Sequence, residues 1–150
     1  MGLPNNANPR TLCAWARTIS VPNSNNRCRL HAYGSGSVVL FSIRGLTTPY
    51  AKVVQEGGSG PSLDEANQFP NATWVHLCVV VVSTPGAIIY NNGAISGMGG
   101  GWTNTVLANT ASGYGMGSES GATSCQIEID DSKIYARALS AAEILAMSKQ

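Results

Sequence analysis

The stretch of residues 127–147 narrows the possible folds of this chain more than any other. Ile127 and Ile129 alternate with acidic residues, which is the period of two expected of a half-buried β-strand. After a short polar break, Ser140 and Glu143 stand three residues apart, which is the spacing of a helix capping box. The alanines, isoleucine, leucine and methionine that follow favour helix. This part of the chain is therefore predicted to form a strand followed by a short helix.

Short apolar segments separated by turn residues recur along the rest of the chain. Asn92-Gly93 is typical of a two-residue type I′ turn between two strands. The longest apolar segment, residues 74–83, is expected to lie centrally in its sheet. Strands are predicted at residues 10–19, 28–33, 37–43, 50–55, 74–83, 87–90, 94–96, 106–108, 113–117 and 124–130, with a turn at residues 21–26 and a flexible loop at residues 57–61. This pattern predicts one all-β domain.

Four segments, in this order, resemble motifs of laminin-G-like, concanavalin A-like jelly-roll domains. They are PRTLCAWAR at residues 9–17, WVHLCVVV at residues 74–81, AIIYNNG at residues 87–93 and IEIDDSKIYARALSAAEI at residues 127–144. The resemblance implies an antiparallel β-sandwich, a concanavalin A-like jelly roll, with a short C-terminal helix.

The resemblance also suggests how the chain is divided. Residues 1–8 are interpreted as an N-terminal arm and residues 9–150 as the jelly-roll domain. The family normally has a further strand before the first motif. Either the sandwich lacks that strand or something else supplies it.

Some relatives of this fold are glycosidases, and Glu128-Ile129-Asp130 resembles the start of their E-x-D-x-E motif. Retaining glycoside hydrolysis needs a second carboxyl group about 5 Å from the nucleophile. Ser132 and Lys133 occupy the positions where that partner is required. His76 matches a family position that is usually structural. We therefore predict that the chain is not an enzyme.

Three residues are candidates for binding a carbohydrate or a protein partner: Trp102, Tyr114 and Asn92. Trp102 follows three consecutive glycines, 99–101. A tryptophan on such a loop could stack on a sugar ring, anchor a protein partner or pack into the rim of the sandwich. These alternatives remain open at the level of sequence.

The resemblance also raises the question of calcium. Relatives of this fold often hold Ca²⁺ at one rim through Asp, Asn and backbone oxygen atoms, which are the hard ligands that this ion prefers. Asp130 and Asp131 are the candidate calcium ligands here, with Asn92 as a further contributor. No other cofactor is expected.

The four cysteines, Cys13, Cys28, Cys78 and Cys125, contain no CxxC pair, so a zinc knuckle is not supported. Their even number permits two disulfides. Cys13 and Cys78 lie in apolar strands, where free cysteine behaves as a small buried hydrophobe. We therefore expect reduced thiols, with Cys13–Cys78 as the first pairing if any disulfide exists.

Charge restricts the possible partners. The formal net charge of +1 implies no broad attraction to nucleic acid or anionic membranes. The longest apolar run is too short to span a bilayer, so membrane insertion is not expected. Residues 1–6 do not resemble a secretory signal, so synthesis in a cytoplasm is expected. Charged residues make up only 11% of the chain, which suits faces covered by neighbouring subunits.

Two classes of function follow from these observations. The first is a non-enzymatic structural module, a virion surface or capsid-decorating protein that packs as a homo-oligomer or with other subunits of a shell. Its expected location is the surface of a virion or of another extracellular assembly. The alternative is a carbohydrate-binding module of a cell-surface or secreted protein, with a surface glycan as its partner.

Overall fold

The computed structural model describes residues 8–20, 28–35, 38–45, 48–56, 62–65, 67–82, 86–99, 110–118 and 126–150. Within these residues the elements are β1 (Arg10–Ser20), β2 (Cys28–Ser35), β3 (Val38–Arg44), β4 (Tyr50–Glu56), β5 (Ser62–Asp64), β6 (Val75–Val81), β7 (Ala87–Asn91), β8 (Ala94–Gly99), β9 (Thr110–Ser118), β10 (Gln126–Tyr135) and α1 (Ala141–Met147). The strands form two antiparallel sheets, in the orders β10-β1-β6-β7-β8 and β5-β4-β3-β2-β9. The predicted β-sandwich with a short helix is confirmed.

The core lies between the two sheets and is organised around β6. All seven residues of β6 are buried, and β6 occupies the centre of the first sheet, as predicted. Leu77 and Val79 face the second sheet, where Phe41 and Ile43 are fully buried. The alternate residues of β6 point to the outer face of the first sheet, because side chains alternate along a strand.

Helix α1 covers part of that outer face. Ile144 is fully buried in a second apolar cluster that also contains Cys78 and Tyr90. The predicted capping box is present, since the Glu143 backbone N–H donates to Ser140 Oγ and the Ser140 backbone N–H donates to Glu143 Oε2. The local sequence therefore starts the helix, and burial of Ile144 fixes it against the sheet.

The predicted type I′ hairpin joins β7 to β8. Asn92 and Gly93 both have positive φ, at 49° and 82°. A Cβ atom on Gly93 would lie 2.7 Å from the side chains of Leu145 and Ser148. Glycine is therefore needed here both for the turn and for the close approach of α1.

Two strands differ from the sequence-based prediction. Strand β10 continues through the expected polar break because of a β-bulge: Cys13 pairs with Lys133 and Trp15 with Asp130, so two steps on β1 match three on β10. Asp131, at φ 47°, lies within this bulge. Strand β5, with three residues, was not predicted. The predicted strand at 106–108, the turn at 21–26 and the loop at 57–61 lie outside the described residues.

The expectation of reduced thiols is wrong for Cys13 and Cys78, which form a disulfide, whereas the pairing itself is confirmed. The physical reason is register, because the two residues lie directly opposite each other on β1 and β6 with their Cα atoms 4.1 Å apart. Cys28 is also disulfide-bonded. Among the described residues, no helix has the length and apolar character to cross a membrane.

Candidate functional site

The outer face of the first sheet carries rows of side chains that cross from β10 through β1 to β6. Strand register sets the rows, because residues two apart on a strand share a face. One row contains Lys133, Cys13 and Cys78, and the next contains Asp130, Trp15 and His76. The third row pairs Glu128 with Arg17, and the Arg17 side chain lies over the ring of Trp74.

An open groove of about 300 Å³ lies on this face, lined by Trp15, Trp74, Asp130 and Gln150. Trp74 is 40% exposed and Trp15 is half-buried. Asp130 is exposed, and its Oδ1 accepts a hydrogen bond from the backbone N–H of Asp131 at 2.8 Å. Its Oδ2 has no hydrogen-bond partner among the described residues, so it is available to accept a hydrogen bond from a ligand hydroxyl or amine.

Arg17 fixes one wall of the groove. Its Nη2 atom lies 2.5 Å from Glu128 Oε2, and its guanidinium carbon lies 5.6 Å from the centre of the Trp74 ring. The ion pair holds the guanidinium group against Trp74 in a cation–π contact, worth about 0.5–1 kcal/mol at an exposed site. Arg17 therefore orients Trp74 and shields part of its surface.

His76 supports the other tryptophan. The ring centres of His76 and Trp15 lie 5.3 Å apart, with the planes tilted by 52°. The His76 backbone N–H donates to Asn92 Oδ1 at 2.9 Å. Burial lowers the pKa of His76; Asp131 opposes this shift and Lys133 adds to it. The lowered pKa favours a neutral imidazole that packs beside Trp15.

The structure places the predicted binding residues apart from the groove lining. Asn92 is exposed in the β7–β8 turn and supports His76. Tyr114 lies in β9 opposite Tyr33 in strand register, in the other sheet, and its side chain lies outside the described part of the chain. Trp102 lies outside the described residues. Their binding roles stay predictions.

The contacts of Asp131 and Asn92 do not fit a calcium site. Asp131 Oδ2 pairs with Lys133 Nζ at 2.6 Å, and this ammonium group would repel a cation. Asn92 Oδ1 already accepts a hydrogen bond from the backbone of β6. Within the described residues, three other potential metal ligands lie close together: Cys13, His76 and Cys78.

Sequence reasoning missed Trp15, Trp74 and Arg17 as site residues. Alternation along β1 places Trp15 and Arg17 on one face, and alternation at the start of β6 does the same for Trp74 and His76. This alternation could be read from the sequence. The pairing of β1 with β6, which brings the two tryptophans to one groove, could not be read from it.

Solved structures with a similar fold include a heptameric SAP-like pentraxin from Limulus polyphemus, at 15% identity and a TM-score of 0.70 over 99% of this chain and 72% of the pentraxin. The binding domain of Paraclostridial Mosquitocidal Protein 1 gives 15% identity and a TM-score of 0.71 over 94% of this chain and 37% of that one. Botulinum neurotoxin type C, which depends on interaction with two ganglioside molecules to get into cells, gives 15% identity and a TM-score of 0.70 over 95% of this chain and 35% of that one.

At these identities the likeness shows the fold alone, and the chain spans little more than a third of the two toxin structures. No curated protein sequence matches the chain. A family model does match: that of the Concanavalin A-like lectin/glucanases superfamily, over residues 3–145. Together with the two-sheet sandwich, this match shows that the chain belongs to the concanavalin A-like lectin/glucanase superfamily.

Proposed function

We propose that this domain is a non-enzymatic binding module that takes a carbohydrate in the groove formed by Trp15, Trp74, Asp130 and Gln150. The observation that carries the proposal is the presence of two tryptophans and a carboxylate along one open groove. The C–H face of a sugar ring is apolar and packs on an indole, while its hydroxyls donate to a carboxylate such as Asp130. Ligand sites commonly combine an apolar surface with a few placed polar groups.

The groove is built on rigid elements, which favours binding. Trp15 lies within β1, between two paired strands, and the Cys13–Cys78 disulfide ties β1 to β6 two residues away. The Arg17 guanidinium group lies over the Trp74 ring and restricts its movement. A wall that is already ordered loses little conformational entropy when a ligand binds.

Binding without hydrolysis is supported by the ion pairs that Glu128 and Asp131 form. Glu128, which begins the glycosidase-like motif, is committed to an ion pair with Arg17. Asp131 is committed to Lys133. A retaining mechanism needs one carboxyl group as nucleophile and another as acid. Structures of similar fold include toxin binding domains, and the type C neurotoxin interacts with gangliosides.

A glycan array followed by calorimetry on the best ligand tests the proposal. Trp74→Ala should weaken binding at least about tenfold, which corresponds to about 1.4 kcal/mol, while the far-UV circular dichroism spectrum is retained. Ile95→Ala, which removes another exposed apolar side chain, is the matched control and should leave affinity unchanged. Loss of binding in Trp102→Ala but not in Trp74→Ala would move the site to Trp102.

An assembly subunit is the second candidate, and it includes the predicted virion surface or capsid-decorating role. Ile95 and Met98 on β8 are 52% and 55% exposed, on the outermost strand of the first sheet among the described residues. Exposed apolar side chains on an outer strand suit contact with another subunit. Light scattering tests this role: a monomer that persists at high concentration, together with glycan binding, would exclude it.

A further inference from the structure

Cys13, His76 and Cys78 form a compact group beneath α1. Their ligand atoms all lie within 4.8 Å of one another, and all three residues are buried. Cys78 Sγ lies 3.8 Å from Nε2 and 3.9 Å from Nδ1 of His76. Cys13 is directly opposite Cys78 in strand register, so all three side chains share the outer face of β1 and β6. In the carbohydrate proposal these residues only support the walls of the groove and do not contact the sugar.

We propose that reduction of the Cys13–Cys78 disulfide converts this group into a binding site for a thiophilic metal ion, with Zn²⁺ as the representative ion. The two thiolates and one imidazole nitrogen are the ligands. The disulfide and the metal site exclude each other, because the same two sulfur atoms form both.

The backbone already holds the ligands at suitable spacing. Zn–S bonds of about 2.3 Å and Zn–N bonds of about 2.0 Å at a tetrahedral angle place sulfur and nitrogen about 3.6 Å apart. The distances from Cys78 Sγ to the His76 nitrogens are close to this value. The two sulfur atoms have to separate to about 3.8 Å, which rotation about the Cα–Cβ bonds provides once the disulfide is broken.

The chemistry of the donor set selects the ion. Thiolate and imidazole are soft to borderline ligands that prefer Zn²⁺ or Cu⁺ to Ca²⁺ or Mg²⁺. Two thiolates and a neutral imidazole around Zn²⁺ carry no net charge, so the occupied site can stay buried without a large desolvation penalty. Three protein ligands leave a fourth position on Zn²⁺ for a water molecule.

The redox step balances with a dithiol as reductant. The dithiol gives two electrons and two protons to the Cys13–Cys78 bond and becomes a cyclic disulfide. Binding of Zn²⁺ then releases both thiol protons. In the oxidised state neither sulfur is a thiolate, so the group should not bind the ion.

Helix α1 controls access to the site. Cys13 is 1% exposed and Cys78 is fully buried, in one apolar cluster with Leu139 and Ile144. Local opening of this seven-residue helix is therefore the route for both the reductant and the metal ion.

Zn²⁺ titration against a coloured chelator tests the proposal on the full chain carrying Cys28→Ser and Cys125→Ser, which leaves only this pair of thiols. The reduced protein should bind one Zn²⁺ per chain and release two protons, whereas the oxidised protein should bind none. Co²⁺ should give the near-ultraviolet absorption of thiolate-to-metal charge transfer. His76→Gln is the matched variant and should weaken affinity at least about tenfold.

Equal Zn²⁺ binding by the oxidised and reduced proteins, or undiminished affinity in reduced His76→Gln, would overturn the proposal. A second comparison applies to a reduced chain that has lost its circular dichroism signal for strand. In that case Zn²⁺ has to restore the signal with His76 present and fail to restore it in His76→Gln, and any other result also counts against the site. Sugar binding by the oxidised protein is measured separately, so the two proposals can fail independently.

Discussion

Asn91 Nδ2 donates a hydrogen bond of 2.6 Å to Glu65 Oε1, and this contact joins the two sheets of the sandwich. Glu65 directly follows β5 in the second sheet, and Asn91 ends β7 in the first. Oε1 also accepts from Ser96 Oγ at 2.7 Å, and Oε2 accepts from the Ala51 backbone N–H at 2.7 Å. Glu65 is only 6% exposed, so a buried carboxylate with three donors closes this edge of the core.

Glu65→Ala should therefore be strongly destabilising. The change leaves three donors at a buried position without their acceptor, and each unsatisfied group costs about 1–3 kcal/mol. We expect the free energy of unfolding to fall by about 3 kcal/mol or more in urea denaturation. Glu128→Ala, which breaks a more exposed ion pair, is the control and should cost less than about 1 kcal/mol. Equal effects of the two substitutions would contradict the structural role of Glu65.

The disulfide should make a second large contribution. Cys13 and Cys78 are 65 residues apart in sequence, so their bond restricts a long loop in the unfolded chain. Replacing both by alanine should lower the free energy of unfolding by about 2–4 kcal/mol in chemical denaturation. A loss below about 1 kcal/mol would mean that strand pairing alone holds β1 against β6.

The features that the sequence predicted are those encoded by neighbouring residues. The β7–β8 turn depends on Asn92-Gly93, and the start of α1 depends on Ser140 and Glu143. The length of the apolar segment was enough to place β6 at the centre of its sheet. Three-residue β5 is too short to show a period, and nothing local distinguishes Glu65 from an exposed glutamate.

The groove could not be predicted because it depends on pairing between distant strands. Four strands of the second sheet, β2 to β5, lie between Trp15 and Trp74 in the sequence. Register joins β1 to β6, and a one-residue shift would have placed Trp15 in the core. The same register explains why Cys13 and Cys78 pair as predicted, whereas their apolar surroundings had wrongly suggested reduced thiols.

Arg17→Ala should expose Trp74 without unfolding the protein. The guanidinium group covers part of the indole, which is already 40% exposed. We expect stronger acrylamide quenching of tryptophan fluorescence, with a change in the free energy of unfolding below about 1 kcal/mol. Arg137→Ala removes a comparable exposed ion pair, with Glu143, and is the matched control. Unchanged quenching in Arg17→Ala would show that Arg17 does not cover Trp74 in solution.

The capping box makes stability depend on acid pH. The pKa of Glu143 is lowered to about 2, first by the Arg137 guanidinium and then by the backbone and side chain of Ser140. A carboxyl with a lowered folded-state pKa stabilises the fold above its unfolded value, 4.5, and this contribution is lost as the pH falls toward 2. Glu143→Gln should therefore melt at a lower temperature than the parent protein at pH 7, with the difference vanishing near pH 2.

Arg137→Gln removes the largest cause of the lowered pKa of Glu143, so it should raise that pKa and move the loss of stability to higher pH. A difference between Glu143→Gln and the parent that stays constant from pH 7 to pH 2 would show that the carboxylate charge does not hold the start of α1.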